Sequence, residues 1–225
     1  MSTDTNLLSG NQFNEQAETY LKSEYGIKAM GLFKNGYNCS QAVFLAFADK
    51  YELSEEVALK ISSSFGGGMG RLREVCGAVT GMFMTTGLVY GYTDPTDHGA
   101  KTEHYKKIQA LATKFEEINK SIICRVLLGL DVKKDQHIPE IRTAEYYKKR
   151  PCAELVGIAA GIMAEYLETK KWLSEKRDRM FAEYNNIVID HFMTPRNSGI
   201  IENYNAEGSY GDPECGDSLN VYLKV

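Results

Sequence analysis

The hydrophobic positions of this chain change period once. Over most of its length apolar residues recur every three to four positions, the spacing of a helix with one buried face, and over the last eight residues they alternate. From Glu15 to Lys34, Ala17, Leu21, Ile27, Met30 and Phe33 give a helical pattern that Gly36 stops. Asn38 is a good N-cap for a helix from Cys39 to about Tyr51 that buries Val43, Phe44 and Phe47. Ser54-Glu55-Glu56 opens another, running to about Ser63, with acidic residues where the helix dipole favours them. Gly66-Gly67-Gly68-Met69-Gly70 predicts a flexible or positive-φ connection. A helix from about Arg73 to Gly91 follows, rich in the small residues Gly77, Ala78, Gly81 and Thr85, a surface that another backbone can approach closely. Asp94 to Asp97 reads as a turn. Further helices are expected over Ala100 to Asn119, Ser121 to Leu128 with Gly129 as its stop, Thr143 to Lys149, and from Pro151 to about Lys170.

The character changes after a run of charge between Lys170 and Arg179. Met180 to Phe192 has an amphipathic helical pattern, and Thr194 to Gly216 is a turn-rich loop. Ser218 to Val225 alternates strictly, with Leu219, Val221, Leu223 and Val225 on one face, as in a half-buried strand that needs a partner from elsewhere. The expected fold is mainly α: a multi-helix N-terminal domain, then a short α+β fragment of one helix, a long loop and a terminal strand. The expected organisation is a disordered leader over 1–14, a helical four-cysteine domain over 15–170, a charged linker over 171–179 and a separate segment over 180–225.

Composition narrows the classes. The chain has 225 residues, 43% hydrophobic and 25% charged, enough for one or two ordinary globular domains. The net charge of −4 gives no electrostatic case for nucleic acid binding. Met1 to Asn14 has neither the basic start nor the apolar run of a signal peptide, and no stretch approaches the roughly 18 apolar residues of a spanning helix. A soluble cytoplasmic protein without a membrane partner is the expectation. Cys39, Cys76, Cys124, Cys152 and Cys215 are odd in number in a long chain, which argues against a secreted disulfide framework. In a reducing compartment such residues are buried apolar groups, metal ligands or redox thiols.

The first four cysteines are separated by 37, 48 and 28 residues, so only the tertiary fold could gather them. Their local settings carry more. Cys39 follows a helix N-cap and Cys152 follows Pro151 in a first helical turn, where exposed N–H groups and the dipole favour thiolate. Arg150 near Cys152 and Arg125 beside Cys124 would push the same way. In Cys76-Gly77-Ala78-Val79-Thr80-Gly81 the two glycines clear space around the sulfur. The competing reading is that all four are small buried hydrophobes.

The order Cys39, Gly66-Gly67-Gly68-x-Gly70, Cys76-Gly77-Ala78-x-x-Gly81, Cys124, Cys152 resembles the C_GCAxxG_C_C family, as do Asn38-Cys39-Ser40-Gln41-Ala42-Val43 and Gly129-Leu130-Asp131. The match covers about Ala29 to Leu167. It implies a small helical domain with redox or metal chemistry at Cys39, Cys76, Cys124 and Cys152, and close-approach roles for Gly66, Gly67, Gly68, Gly77 and Gly81.

A second resemblance lies downstream. Tyr184-Asn185-x-x-Val188-Ile189-Asp190-His191-Phe192-x-x-Pro195-Arg196-Asn197-x-Gly199, with Gly211-Asp212-Pro213-x-Cys215-Gly216-Asp217, resembles the start of a NifU/IscU-type iron–sulfur scaffold. That resemblance implies Cys215 as a cluster ligand and Asp217 as the carboxylate that keeps the cluster labile. The scaffold's two other cysteines lie beyond the matching stretch, so these 42 or so residues supply one thiolate where a cluster takes about four ligands. His191 belongs to the helix-ending motif and reads as structural; His98, His104 and His137 read as solvated.

Together the resemblances imply an iron-binding or iron–sulfur protein of cluster assembly, with iron or a cluster as cofactor. Cysteine desulfurase or other assembly proteins are then the expected partners, and a homo-oligomer is an open state. A metal-free thiol–disulfide protein and a non-enzymatic interaction module with structural cysteines are the alternatives. No hydrolase or transferase motif appears, and Gly66 to Gly70 lacks the Lys-Ser/Thr that follows a phosphate loop.

Overall fold

The computed structural model describes residues 15–50, 53–132, 134–180, 202–211 and 218–224. The proposed leader, the 180–192 helix beyond Met180, His191, Cys215 and Asp217 lie outside them. The chain divides into two units, Met1–Lys171 and Trp172–Val225.

The first unit is built of helices, as its apolar periodicity requires. Its first stripe is two helices, α1 (Glu15–Lys22) and α2 (Glu24–Lys34), where one was expected. The break has a local cause: Ser23 caps α2, accepting from the N–H of Gly26 while its own hydroxyl donates to the Tyr20 carbonyl. Asn38 caps α3 (Cys39–Ala46) through a full capping box with Gln41. That helix is shorter than predicted, and Ala48–Lys50 continues it as a 3₁₀ turn. Ser54 caps α4 (Glu55–Ser63) as expected.

The central element is α5 (Gly77–Tyr90), whose first turns from Gly77 to Met82 are buried on every side, while Leu88 near its end is exposed. It starts four residues later than expected. Val75 instead forms a β-bridge with Ile123, and the Cys76 N–H donates to the Ile122 carbonyl and the Cys124 N–H to that of Glu74. Thr80, Thr85 and Thr86 are buried in α5, and each returns its hydroxyl to a carbonyl one turn back, so none is left unsatisfied. The charged helix is α6 (His98–Asn119), capped by Asp97. Only α7 (Cys124–Leu127) forms from the expected Ser121 to Leu128 stretch; Gly129 at φ +60 terminates it. Thr143 caps α8 (Ala144–Lys149).

The last helix, α9 (Cys152–Met180), runs through the residues read as a linker. Its N-terminal half packs on α1 and α2 through glycines. A Cβ on Gly161 would stand 2.5 Å from that of Tyr20, and one on Gly157 would meet Leu21 and Met30 at 2.8 and 2.9 Å. Phe33, Phe44, Phe47 and Phe115 fill the space between the helices. Fully burying each such side chain contributes about 2–3 kcal/mol. Tyr20, Lys114 and Glu165 tie α1, α6 and α9 together by hydrogen bonds and an ion pair at the edge of this core.

In the second unit the terminal strand finds its partner within the chain. β1 (Ala206–Gly211) lies inside the expected loop and pairs antiparallel with β2 (Ser218–Leu223), Ala206 opposite Leu223 and Gly211 opposite Ser218. Val221 is 42% exposed.

Candidate functional site: four thiols at one cavity

Cys39, Cys76, Cys124 and Cys152 line a single cavity of about 60 Å³ in the first unit. Each enters from a helix N-terminus. Cys39, Cys124 and Cys152 are the first residues of α3, α7 and α9, and Cys76 is the N-cap of α5. The long separations in sequence are thus closed by helix starts converging on one point. All four thiols are free.

The glycine run shapes this centre. Gly67, Gly68 and Gly70 have φ of +65, +69 and +60, and the left-handed backbone continues through Met69, Arg71 and Arg73. Left-handed geometry at non-glycine residues costs about 1–2 kcal/mol each, and strain of that kind persists only where the surroundings enforce it. Its result is close approach. The Gly67 N–H donates to Cys39 Sγ at 3.4 Å, and a Cβ on Gly68 would lie 2.6 Å from that of Cys124. A Cβ on Gly66 would meet Asn38 at 2.5 Å, and one on Gly81 would meet the Ser40 carbonyl at 2.8 Å.

Three guanidinium groups share the lining: Arg73, Arg142 and Arg150. Arg73 is buried; its Nη1 donates to Cys124 Sγ at 3.8 Å and its Nη2 to Asp135 Oδ2 at 2.6 Å. Arg71 donates to the same carboxylate oxygen at 2.7 Å and to the Gln136 carbonyl at 2.6 Å. Arg142 donates to the carbonyls of Phe33 and Tyr37 and lies over the Phe33 ring at 4.3 Å. Arg150 pairs with Glu140 and lies over Tyr146. These contacts tie residues 134–143 to the first unit, with Arg142 reaching the cavity wall.

The expectation of thiolate-favouring settings needs correction at two cysteines. Burial pushes the Cys152 thiol up to about 12, with the Cys39 charge adding to it, and outweighs the opposing charges of Arg150 and Arg73. Burial likewise raises Cys124, against the opposing hydrogen bond from Arg73. Arg125, the expected cation there, turns instead to Glu74 and the Arg73 carbonyl. Cys76, in the core, is raised well above its ordinary value by burial and by the other three sulfurs. Asp135 moves oppositely: the hydrogen bond from Arg73 holds its carboxyl at about 2.

Among the described residues no three His, Cys, Asp or Glu side chains are gathered closely enough to hold one metal ion. His98 and His137 are exposed, as expected, whereas His104 is half-buried against Tyr92 with Nδ1 unpartnered. Arg73, Arg142 and Asp135 were not picked out from the sequence. Nothing in their spacing marks them, because the strained loop and the strap that bring them to the cavity are tertiary features.

The fold and this cavity define a helical four-thiol protein. The chain belongs to the C_GCAxxG_C_C family, described as "Putative redox-active protein (C_GCAxxG_C_C)", whose model matches residues 37–166. Residues 183–225 match the NifU-like N terminal domain. The chain is 48% identical over 46 residues to the iron–sulfur cluster assembly scaffold protein IscU of Aquifex aeolicus, covering 20% of this chain and 29% of that protein. It is 48% identical over 42 residues to IscU 1 of Archaeoglobus fulgidus, 19% of this chain and 28% of that one. To the nitrogen fixation protein NifU of Azotobacter chroococcum it is 44% identical over 43 residues, 19% of this chain and 14% of the relative. The chain therefore spans less than a third of the length of these relatives. No solved structure matches it. Among the described residues no helix is long and apolar enough to cross a membrane.

Proposed function

We propose that Cys39, Cys76, Cys124 and Cys152 together hold an iron–sulfur cluster, and that the chain serves iron–sulfur cluster assembly. The observation that carries this reading is the convergence of four thiols, 37, 48 and 28 residues apart in sequence, on one cavity of a chain that also matches a cluster scaffold segment. Bound there, the cluster would supply one-electron exchange or a transferable cluster. The chain's part is to place four soft donors, two of them buried, and to set hydrogen bonds from Gly67 and Arg73 on two of the sulfurs. Cys215 and Asp217 are proposed as scaffold-type ligand and tuning carboxylate. The partners this reading names are a cysteine desulfurase and other assembly proteins, in the cytoplasm.

Anaerobic purification of the whole chain, with iron and sulfide analysis before and after reconstitution, tests it. Chelatable iron and inorganic sulfide lost together in Cys39→Ser and Cys124→Ser support it. A colourless, iron-free protein after reconstitution overturns it. A metal-free thiol–disulfide function is the second reading, favoured by the free state of all four thiols and the partial exposure of Cys39 and Cys152. Thiol counts before and after mild oxidation separate the two.

A further inference from the structure

The walls of the thiol cavity carry charge of one sign. Arg73, Arg142 and Arg150 line it, while the carboxylates that pair with two of them, Asp135 with Arg73 and Glu140 with Arg150, are not among the lining residues. Helices α3, α5 and α9, each at least eight residues long, begin there, so their positive dipole ends face the same space. Arg142 is held by carbonyl oxygens, which leave its charge uncancelled. Among the described residues, buried Arg73 Nε has no hydrogen-bond partner. A buried charged donor lacking an acceptor is costly, so it points to an acceptor that the protein does not itself provide. The cavity is therefore shaped for a group that is anionic as well as sulfur-bound. A cluster on four thiolates meets that description, because its sulfide and thiolate charges exceed those of its iron. The inference rests on the cluster reading above and extends it to how the group's charge is managed.

We propose that Arg73 is the residue that tunes the reduction potential of the group in this cavity, and that Asp135 sets how much of the Arg73 charge it receives. One guanidinium is divided between two anions: Nη1 faces Cys124 Sγ at 3.8 Å and Nη2 faces Asp135 Oδ2 at 2.6 Å. Reduction adds one electron from an external donor and makes the group more negative by one charge. A nearby cation stabilises the reduced form and raises the potential; a carboxylate that withdraws the cation lowers it. Arg71 shares Asp135 through the same oxygen and so relieves part of that withdrawal.

The two ends of the pair then act in opposite directions. Neutralising Asp135 releases the Arg73 charge to the cavity and raises the potential. Neutralising Arg73 lowers it. A purely structural ion pair is broken equally by either change and would move both variants the same way.

The experiment uses the full chain, reconstituted anaerobically with iron and sulfide, and a mediated redox titration followed by absorbance and electron paramagnetic resonance. Wild type, Arg73→Gln and Asp135→Asn are compared at equal iron content. The expected result is a lower midpoint for Arg73→Gln and a higher one for Asp135→Asn. Shifts of the same sign, or unchanged midpoints in variants that keep their iron, overturn the proposal while leaving the cluster reading intact. A wild-type chain that takes up no iron overturns both. Should Arg73→Gln not fold, Asp135→Asn decides alone, since Asp135 is partly exposed and outside the core, and a midpoint that does not rise refutes the proposal.

Discussion

Gly77 lies directly beneath the sulfur of Cys39: a Cβ at Gly77 would stand 2.4 Å from Cys39 Sγ and 2.9 Å from the Phe65 carbonyl. Backbone on one side and a cavity-lining sulfur on the other leave no cheap relaxation. Gly77→Ala is expected to cost about 1–3 kcal/mol from overpacking, exceeding the roughly 1 kcal/mol that alanine would gain in a helix. It should also lower iron uptake by displacing Cys39. Gly31→Ala is the control, because nothing lies within 4 Å of its Cβ position in α2; it should stabilise by about 0.5–1 kcal/mol. Urea unfolding of both variants, with iron analysis, checks the contrast.

Two positive-φ glycines separate backbone strain from crowding. Gly129 at φ +60 has nothing within 4 Å of its Cβ position, so Gly129→Ala should cost only the left-handed penalty of about 1–2 kcal/mol. Gly68 at φ +69 adds a Cβ 2.6 Å from that of Cys124 and 3.1 Å from the Arg73 Cα. Its alanine variant should cost clearly more and disturb Cys124. Equal losses in the two variants would mean that the loop yields around Cys124.

Much of this was legible in local signals. Asn38, Ser54 and Thr143 mark helix starts because a cap needs only its own side chain and the next turn. The glycine run reads as a flexible or positive-φ connection and takes the latter form, whereas the widely spaced cysteines suggest a centre only through the family resemblance. Three features were not legible. The break at Ser23 is a local cap, but the apolar stripe runs across it without interruption, so the periodicity alone reads as one helix. The late start of α5 depends on a bridge to Ile123, nearly fifty residues on. The thiol settings were misjudged at Cys124 and Cys152 because a helix end and a neighbouring arginine are visible in sequence, whereas burial, which dominates, is not.

Asp135 makes stability depend on acid. Its carboxyl is held at about 2 in the folded chain against an ordinary 3.8. A depressed carboxyl contributes stability that is complete above about pH 4 and is lost as pH falls through about 2, because the unfolded chain binds the proton first. Urea midpoints measured from pH 6 down to pH 2 should fall through that window. Asp135→Asn should start lower at pH 6 and show a flatter acid limb.

Arg142 clamps the strap between α7 and α8 to the end of α2. It donates to the Phe33 and Tyr37 carbonyls at 2.7 and 2.8 Å and covers the Phe33 ring. Hydrogen bonds from a charged group contribute about 1.5–3 kcal/mol, and the ring contact about 1 kcal/mol more. Arg142→Ala should destabilise by about 2–4 kcal/mol. Amide exchange should then quicken between residues 128 and 143 before it does in α5. Uniform quickening would show that Arg142 holds the whole helical unit rather than the strap.

The buried thiols give the opposite pH limb. In the metal-free, reduced chain Cys152 is held up to about 12 against an ordinary 9.0, and Cys76 and Cys124 are raised as well. The unfolded chain releases these protons first, so stability is complete below about pH 9 and falls as pH rises toward about 12. Cys152→Ala should make that limb shallower. At neutral pH the same thiols should react slowly with iodoacetamide in the native chain and quickly after unfolding in urea, because thiolate is the reacting form. Mass spectrometry of the alkylated peptides assigns the rates to each cysteine. Fast native labelling of Cys152 would show that the helix end and Arg150, rather than burial, govern that sulfur.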